Sequence, residues 1–131
     1  MINKGISLNG QAAIVTGGGA GIGRAICVAL AAHGAKVLVA DMSVKGAEET
    51  ANMICAAGGQ ATAMQVDVTK AADAEAMVAK AVGLFGKVDL LYNNAGICTV
   101  SEIEKMPEDW WDKIFAVNCK GVFLCSKAVI P

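Results

Sequence analysis

The stretch Thr16-Gly17-Gly18-Gly19-Ala20-Gly21-Ile22-Gly23 constrains this chain more than any other. It follows the apolar run Ala12 to Val15, which reads as a buried strand. It opens into Ile22, Ile26 and Leu30, spaced as on one face of a helix. A glycine-rich turn between a strand and a helix is suited to anions. The first helical N–H groups lack intrahelical partners, and the aligned peptide dipoles place about half a positive charge there. Glycines also remove the Cβ atoms that would hold a phosphate away from the backbone. The segment therefore reads as a cradle for nucleotide phosphate. The plainer alternative is a turn that merely lets helix and strand pack closely.

Several glycine loops look alike, and spacing separates them. The pattern G-x-G-x-x-G fails, because from Gly17 and Gly19 the third position is Ile22. The pattern G-x-x-x-x-G-K-[ST] fails because Gly18 and Gly23 are followed by Arg24-Ala25. What the chain carries is T-G-x-x-x-G-x-G, at Thr16, Gly17, Gly21 and Gly23.

The rest of the chain alternates strand and helix patterns. Met1 to Gly10 is expected to be an irregular lead-in. Strands are expected at Gln11–Thr16, at Lys36–Ala40 ending on Asp41, at Gln60–Val66 ending on Asp67, and at Val88–Tyr92. Helices are expected from Gly21 to about Ala32, from a Ser43 cap to about Ala57, and from a Thr69 cap to Phe85. A last helix begins near Pro107 and carries Trp110, Trp111, Ile114, Phe115, Val122 and Phe123. The βαβαβαβα order predicts a Rossmann-type, doubly wound parallel sheet of the α/β class, forming one domain over residues 1–131.

Composition narrows the function. A net charge of −1 argues against a nucleic-acid surface. No apolar run approaches the ~18 residues of a membrane helix, and no secretory leader pattern is present. The five cysteines are odd in number and lack C-x-x-C spacing. They suggest reduced thiols of a cytoplasmic protein and no metal centre. His33, at the expected end of the first helix, reads as a partner for its terminal carbonyls.

Asp41 closes the second strand, where a carboxylate can accept both ribose hydroxyls of an adenosine and repel a 2′-phosphate. Neither Met42 nor Ser43 supplies a cation for such a phosphate, so NAD is expected over NADP. Asp67 closes the third strand and is expected over the adenine side of the same crevice. Either aspartate alone could simply be a helix-entry residue.

Thr16 to Gly23, Asp41, Asp67-Val68, Asn93-Asn94-Ala95-Gly96 and Val117-Asn118 with Gly121 and Phe123 together resemble the N-terminal half of the short-chain dehydrogenase/reductase family. The resemblance implies cofactor contacts at Thr16, Gly17, Gly21, Ile22, Gly23, Asp41, Asp67, Val68, Asn94, Ala95, Gly96 and Val117. It matches Asn118 to the asparagine that holds a water in the family's proton relay. The other reading of Asn118 is a polar side chain satisfying nearby backbone.

The family's catalytic serine and Tyr-x-x-x-Lys pair have no counterpart here. The single tyrosine is Tyr92, and four residues later stands Gly96. Ser126 cannot be carried over to the serine's position. The expectation is thus the incomplete NAD-binding portion of an alcohol or ketone oxidoreductase, ending after the fourth strand and its following helix. It would be inactive alone and self-associating through its last helix. A non-catalytic NAD-binding or dimerising regulatory module is the alternative. A methyltransferase fits poorly, since no acidic residue precedes the glycine loop. The substrate is not legible.

Overall fold

The computed structural model describes residues 5–131; the first part of the expected lead-in, residues 1–4, lies outside the described residues. From Gly5 to Gly10 there is neither helix nor strand. The elements are β1 (Ala12–Thr16), α1 (Gly21–Ala32), β2 (Lys36–Asp41), α2 (Val44–Ala56), β3 (Gln60–Gln65), α3 (Ala71–Phe85), β4 (Leu90–Tyr92), α4 (Glu108–Phe115) and α5 (Gly121–Val129). A 3-10 turn at Ile103–Lys105 precedes α4, and a π-turn at Ala116–Lys120 joins α4 to α5.

The strands form one parallel sheet in the order β3-β2-β1-β4. Chain direction reverses its progress across the sheet between β3 and β4, so a crevice opens beyond the carboxyl ends of β1 and β4. Alternation along β1 and β2 splits the core in two. Ala13, Val15, Val37 and Val39 join Cys27, Leu30, Ala47 and Ile54 on one face. Ile14, Leu38 and Ala40 join Val66, Met77, Ala81 and Cys125 on the other. Successive strand residues point to opposite faces, so a strand covered by helices on both sides must be apolar throughout. β1 is buried at all five positions.

Helix ends follow local chemistry. The Ser43 Oγ accepts the Gly46 N–H at 3.1 Å and caps α2. The His33 ring nitrogen Nδ1 lies 2.8 Å from the Ala29 carbonyl at the end of α1. Gly86 ends α3 at φ +82°, a conformation that suits glycine.

Three local expectations are corrected. Thr69 does not cap α3; its hydroxyl donates to Asp67 Oδ1 at 2.6 Å, and Lys70 occupies the cap position without a side-chain bond. β4 starts at Leu90 rather than Val88, because Asp89 accepts the Ala12 N–H on its side chain at 2.8 Å, just outside the ladder. The last helix is not continuous: the π-turn divides it. Beyond that turn Gly121 lies against Val68, where an added Cβ would meet Val68 Cγ2 at 2.8 Å.

Candidate functional site

The cleft is built outward from the turn after β1. Gly17 takes φ +66° and Gly21 φ +52°, both in the left-handed region where a side chain is strained. The first bond at the head of α1 runs from the Arg24 N–H to the Ala20 carbonyl at 3.1 Å. The amides of Gly21, Ile22 and Gly23 precede it, as the free donors at a helix N-terminus do. No acidic residue lies in the first turn of α1 to compete for them. Gly23 has no space for a side chain, since a Cβ there would fall on the Gly17 carbonyl oxygen. Around Gly21 space is open.

The loop after β4 is fastened to this turn. Thr16 is 1% exposed, and its hydroxyl accepts the N–H groups of Asn94 and Ala95, each at 3.1 Å. The same hydroxyl donates to the Tyr92 carbonyl at 3.3 Å. In return the Asn94 side-chain amide donates to the carbonyls of Thr16 and Gly17 at 3.1 and 3.2 Å. A Cβ on Gly17 would meet this amide at 2.9 Å.

At the end of β2, both oxygens of Asp41 accept backbone bonds. Oδ2 takes the Gly19 N–H at 2.9 Å and Oδ1 the Ser43 N–H at 2.8 Å. The carboxylate is thereby oriented while each oxygen keeps a lone pair for a further donor. Beneath the loop lies Cys27, whose Sγ would be 2.9 Å from a Cβ on Gly18. Burial chiefly, with a smaller contribution from the charge of Asp41, pushes the Cys27 thiol up to about 12. The thiol is therefore neutral and adds no negative charge where an anion would sit.

A cavity of about 430 Å³ runs across this surface. Its walls include Gly17, Ile22 and Gly23 from the turn, Asp41 from β2, Val68 after β3, Asn94, Ala95 and Gly96 after β4, and Val117 from the π-turn. Four other residues singled out in the sequence, Thr16, Gly21, Asp67 and Asn118, stand behind or beside it. Thr16 is the clasp below the floor. Gly21 shapes the backbone at the rim. Asp67 turns its carboxylate to the Thr69 N–H and hydroxyl, at 3.0 and 2.6 Å. The Thr69 hydroxyl chiefly, then its N–H, holds the Asp67 carboxyl below its ordinary range. Val66 and Val68 flank the cavity at that strand end.

Asn118 is committed to the backbone of Ile97. Its Oδ1 accepts the Ile97 N–H and its Nδ2 donates to the Ile97 carbonyl, both at 2.8 Å. Oδ1 keeps a second lone pair and Nδ2 a second hydrogen. Ile97 itself reaches the cavity wall, so this pairing fixes one side of the cleft.

Sequence reasoning missed two residues. Arg24 donates from Nε to Thr50 Oγ1 at 2.9 Å and from Nη2 to the Gly19 carbonyl at 2.5 Å, and pairs with Glu49 at 3.1 Å. Thr50 is fully buried, with its hydroxyl 2.9 Å from the Gly18 carbonyl and 3.2 Å from that of Gly46. The available signal was a polar residue within the apolar stripe Ala47, Ala51 and Ile54 of α2.

The glycine cradle, the first-turn amides and an oriented acid at the next strand end together have the chemistry to take a dinucleotide. Residues 11–131 match the sequence profile described as short chain dehydrogenase. An uncharacterized oxidoreductase of Thermotoga maritima is 42% identical over 125 residues, which cover 95% of this chain and 49% of that protein. A 2-(S)-hydroxypropyl-CoM dehydrogenase of Xanthobacter autotrophicus is 42% identical over 123 residues, covering 94% of this chain and 48% of that one. A crystal structure of a short-chain type dehydrogenase/reductase from Mycobacterium marinum superposes with a TM-score of 0.91 at 33% identity, over 94% of this chain and 50% of that one. The chain thus spans about half the length of the curated relatives it matches.

Proposed function

The chain belongs to the short chain dehydrogenase family, and from that premise we propose that it is the NAD-binding portion of an oxidoreductase. The reaction would move a hydride between nicotinamide and an alcohol or ketone carbon. The observation that carries the cofactor assignment is Asp41, at the rim of the glycine cleft and oriented by the Gly19 and Ser43 amides. A fixed carboxylate there favours two ribose hydroxyls and disfavours a 2′-phosphate.

Within this reading, the amides of Ile22 and Gly23 bind the diphosphate, and Val68, Gly96 and Val117 line the dinucleotide. When bound, nicotinamide supplies the hydride acceptor or donor. Asn118 would hold a water through the lone pair and hydrogen left over from Ile97. Proton transfer at the substrate oxygen needs a positioned acid or base, worth typically about 10²–10⁴ in rate. The 131 residues hold no Tyr-x-x-x-Lys pair, so this polypeptide alone would bind cofactor without turning substrate over.

The exposed aromatic side chains of α4 and α5, among them Trp111, Phe115 and Phe123, support self-association. Among the described residues no helix is long and apolar enough to cross a membrane. The five free cysteines support a reducing, cytoplasmic setting.

Calorimetric titration tests the cofactor assignment: NAD should bind more tightly than NADP, and a preference for NADP would overturn the role given to Asp41. The same preparation, given NAD and a panel of secondary alcohols, should produce no reduced nicotinamide above a protein-free control. Clear turnover would contradict the inactivity of the isolated chain.

A further inference from the structure

Gly19 is held through both of the peptide units that flank it. Its N–H donates to Asp41 Oδ2 at 2.9 Å, and its carbonyl accepts from Arg24 Nη2. It also has no lateral freedom: a Cβ on Gly19 would meet the Asp41 carboxyl carbon at 2.9 Å, and one on Gly46 would meet the Gly19 carbonyl oxygen at 2.9 Å. Arg24 is itself fixed at three points, through Thr50 Oγ1 at 2.9 Å, Glu49 Oε2 at 3.1 Å and the Gly46 carbonyl at 3.4 Å. The Thr50 hydroxyl faces the Gly18 carbonyl at 2.9 Å, and this carbonyl shares a peptide plane with the Gly19 N–H.

We propose that Arg24 is a positioning residue for the adenosine end of the cofactor, acting through the Thr50 hydroxyl and the Gly18–Gly19 peptide on the orientation of the Asp41 carboxylate. The inference rests on the assignment of NAD to this cleft and deepens it. Arg24 does not line the cavity; its effect passes through the Thr50 hydroxyl and one peptide unit. Its Nε donates to Thr50 Oγ1 and so directs the hydroxyl hydrogen to the Gly18 carbonyl, and planarity of the Gly18–Gly19 peptide then fixes where the Gly19 N–H points. That N–H holds one oxygen of Asp41, and the Ser43 N–H holds the other. With Arg24 removed, the Thr50 hydroxyl can turn to the Gly46 carbonyl, the Gly18–Gly19 peptide can rotate and Asp41 loses one of its two fixed bonds. The carboxylate then no longer stands square to the ribose hydroxyls, and no longer meets a 2′-phosphate at close range. Discrimination should fall chiefly through weaker NAD binding.

A purely electrostatic role predicts the opposite sign. Deleting a cation near the cleft would weaken the more negative NADP at least as much as NAD. A lysine would then substitute, since it keeps the charge. A lysine cannot reproduce the fork that reaches Thr50 and Gly19 together, so under the positioning role it does not rescue.

The test is calorimetric titration of the full 131-residue chain with NAD and with NADP, for wild type, Arg24→Met, Arg24→Lys and Thr50→Val. Thermal melting accompanies each to confirm folding. Arg24→Met should weaken NAD about tenfold, the equivalent of one hydrogen bond to a charged group, and leave NADP nearly unchanged. Arg24→Lys should behave like Arg24→Met, and Thr50→Val should shift the NAD to NADP ratio in the same direction at least as far. If Arg24→Met does not fold, Thr50→Val and Arg24→Lys carry the test. A wild type that binds neither nucleotide, or favours NADP, overturns both the cofactor assignment and this inference. A wild type that favours NAD, with a ratio unmoved in every folded variant or restored by lysine, overturns the role of Arg24 alone.

Discussion

Thr16 and Asn94 hold each other at both ends: the Thr16 hydroxyl accepts the Asn94 N–H at 3.1 Å, while the Asn94 side-chain amide donates to the Thr16 carbonyl at 3.1 Å. Seventy-eight residues apart in the chain, the two lock the loop after β4 to the turn after β1. The cleft lies between these segments, so its width depends on this pair.

Replacing Thr16 with Val keeps the shape and removes the hydroxyl. The N–H groups of Asn94 and Ala95 then lose their shared acceptor, and leaving a buried donor unpaired costs about 1–3 kcal/mol. Thr16→Val should lower unfolding free energy by about 2–4 kcal/mol in urea titrations, whereas Thr16→Ser, which keeps the oxygen, should lose far less. Equal losses in the two variants would show that the methyl packing, not the hydroxyl, matters.

Glycines in this chain divide by what surrounds them. At Gly23 a Cβ would collide with the Gly17 carbonyl, so Gly23→Ala must displace the cradle and should abolish nucleotide binding. Gly83 sits within α3, with nothing near a Cβ and no positive φ. There Gly83→Ala should raise stability by about 0.5–1 kcal/mol through helix propensity alone. Thermal melts of both variants, with NAD titration of the first, decide the matter. Wild-type affinity in Gly23→Ala would contradict the geometry.

Acid sensitivity follows from two aspartates outside the cavity wall. The hydroxyl and N–H of Thr69 hold Asp67 below its ordinary 3.8, and the Ala12 N–H, then Lys87, do the same for Asp89. Each folded value lies below the unfolded one, so each contribution is complete above about pH 4 and is lost as pH falls through the depressed folded value. Urea midpoints should therefore fall on acidification below about pH 4. The slope should be shallower in the Asp67→Asn, Asp89→Asn double variant, whose amides do not titrate. An unchanged slope would assign the acid limb to other carboxylates.

Much of this site was readable before any coordinates. The spacing of Thr16, Gly17, Gly21 and Gly23, with apolar strands ending in Asp41 and Asp67, fixes a strand, turn and helix in the chain's local code. Ser43 announced its helix in the same way. What was not readable came from contacts across the chain. Thr69 looked like a cap, but the Asp67 carboxylate two residues earlier competes for its hydroxyl. The π-turn leaves no mark in composition, because the residues on either side keep helical spacing. It is seen only in the backbone of Ala116–Lys120. Nothing local to Arg24 indicates that Gly19 and Thr50 lie within its reach.

A crystal structure of the chain with NAD bound tests the central claim most directly. The account predicts the diphosphate against the backbone amides at the head of α1, and the adenosine ribose hydroxyls within hydrogen-bond distance of the Asp41 carboxylate. A dinucleotide seated elsewhere on the sheet, or one whose adenosine sugar lies away from Asp41, would contradict it.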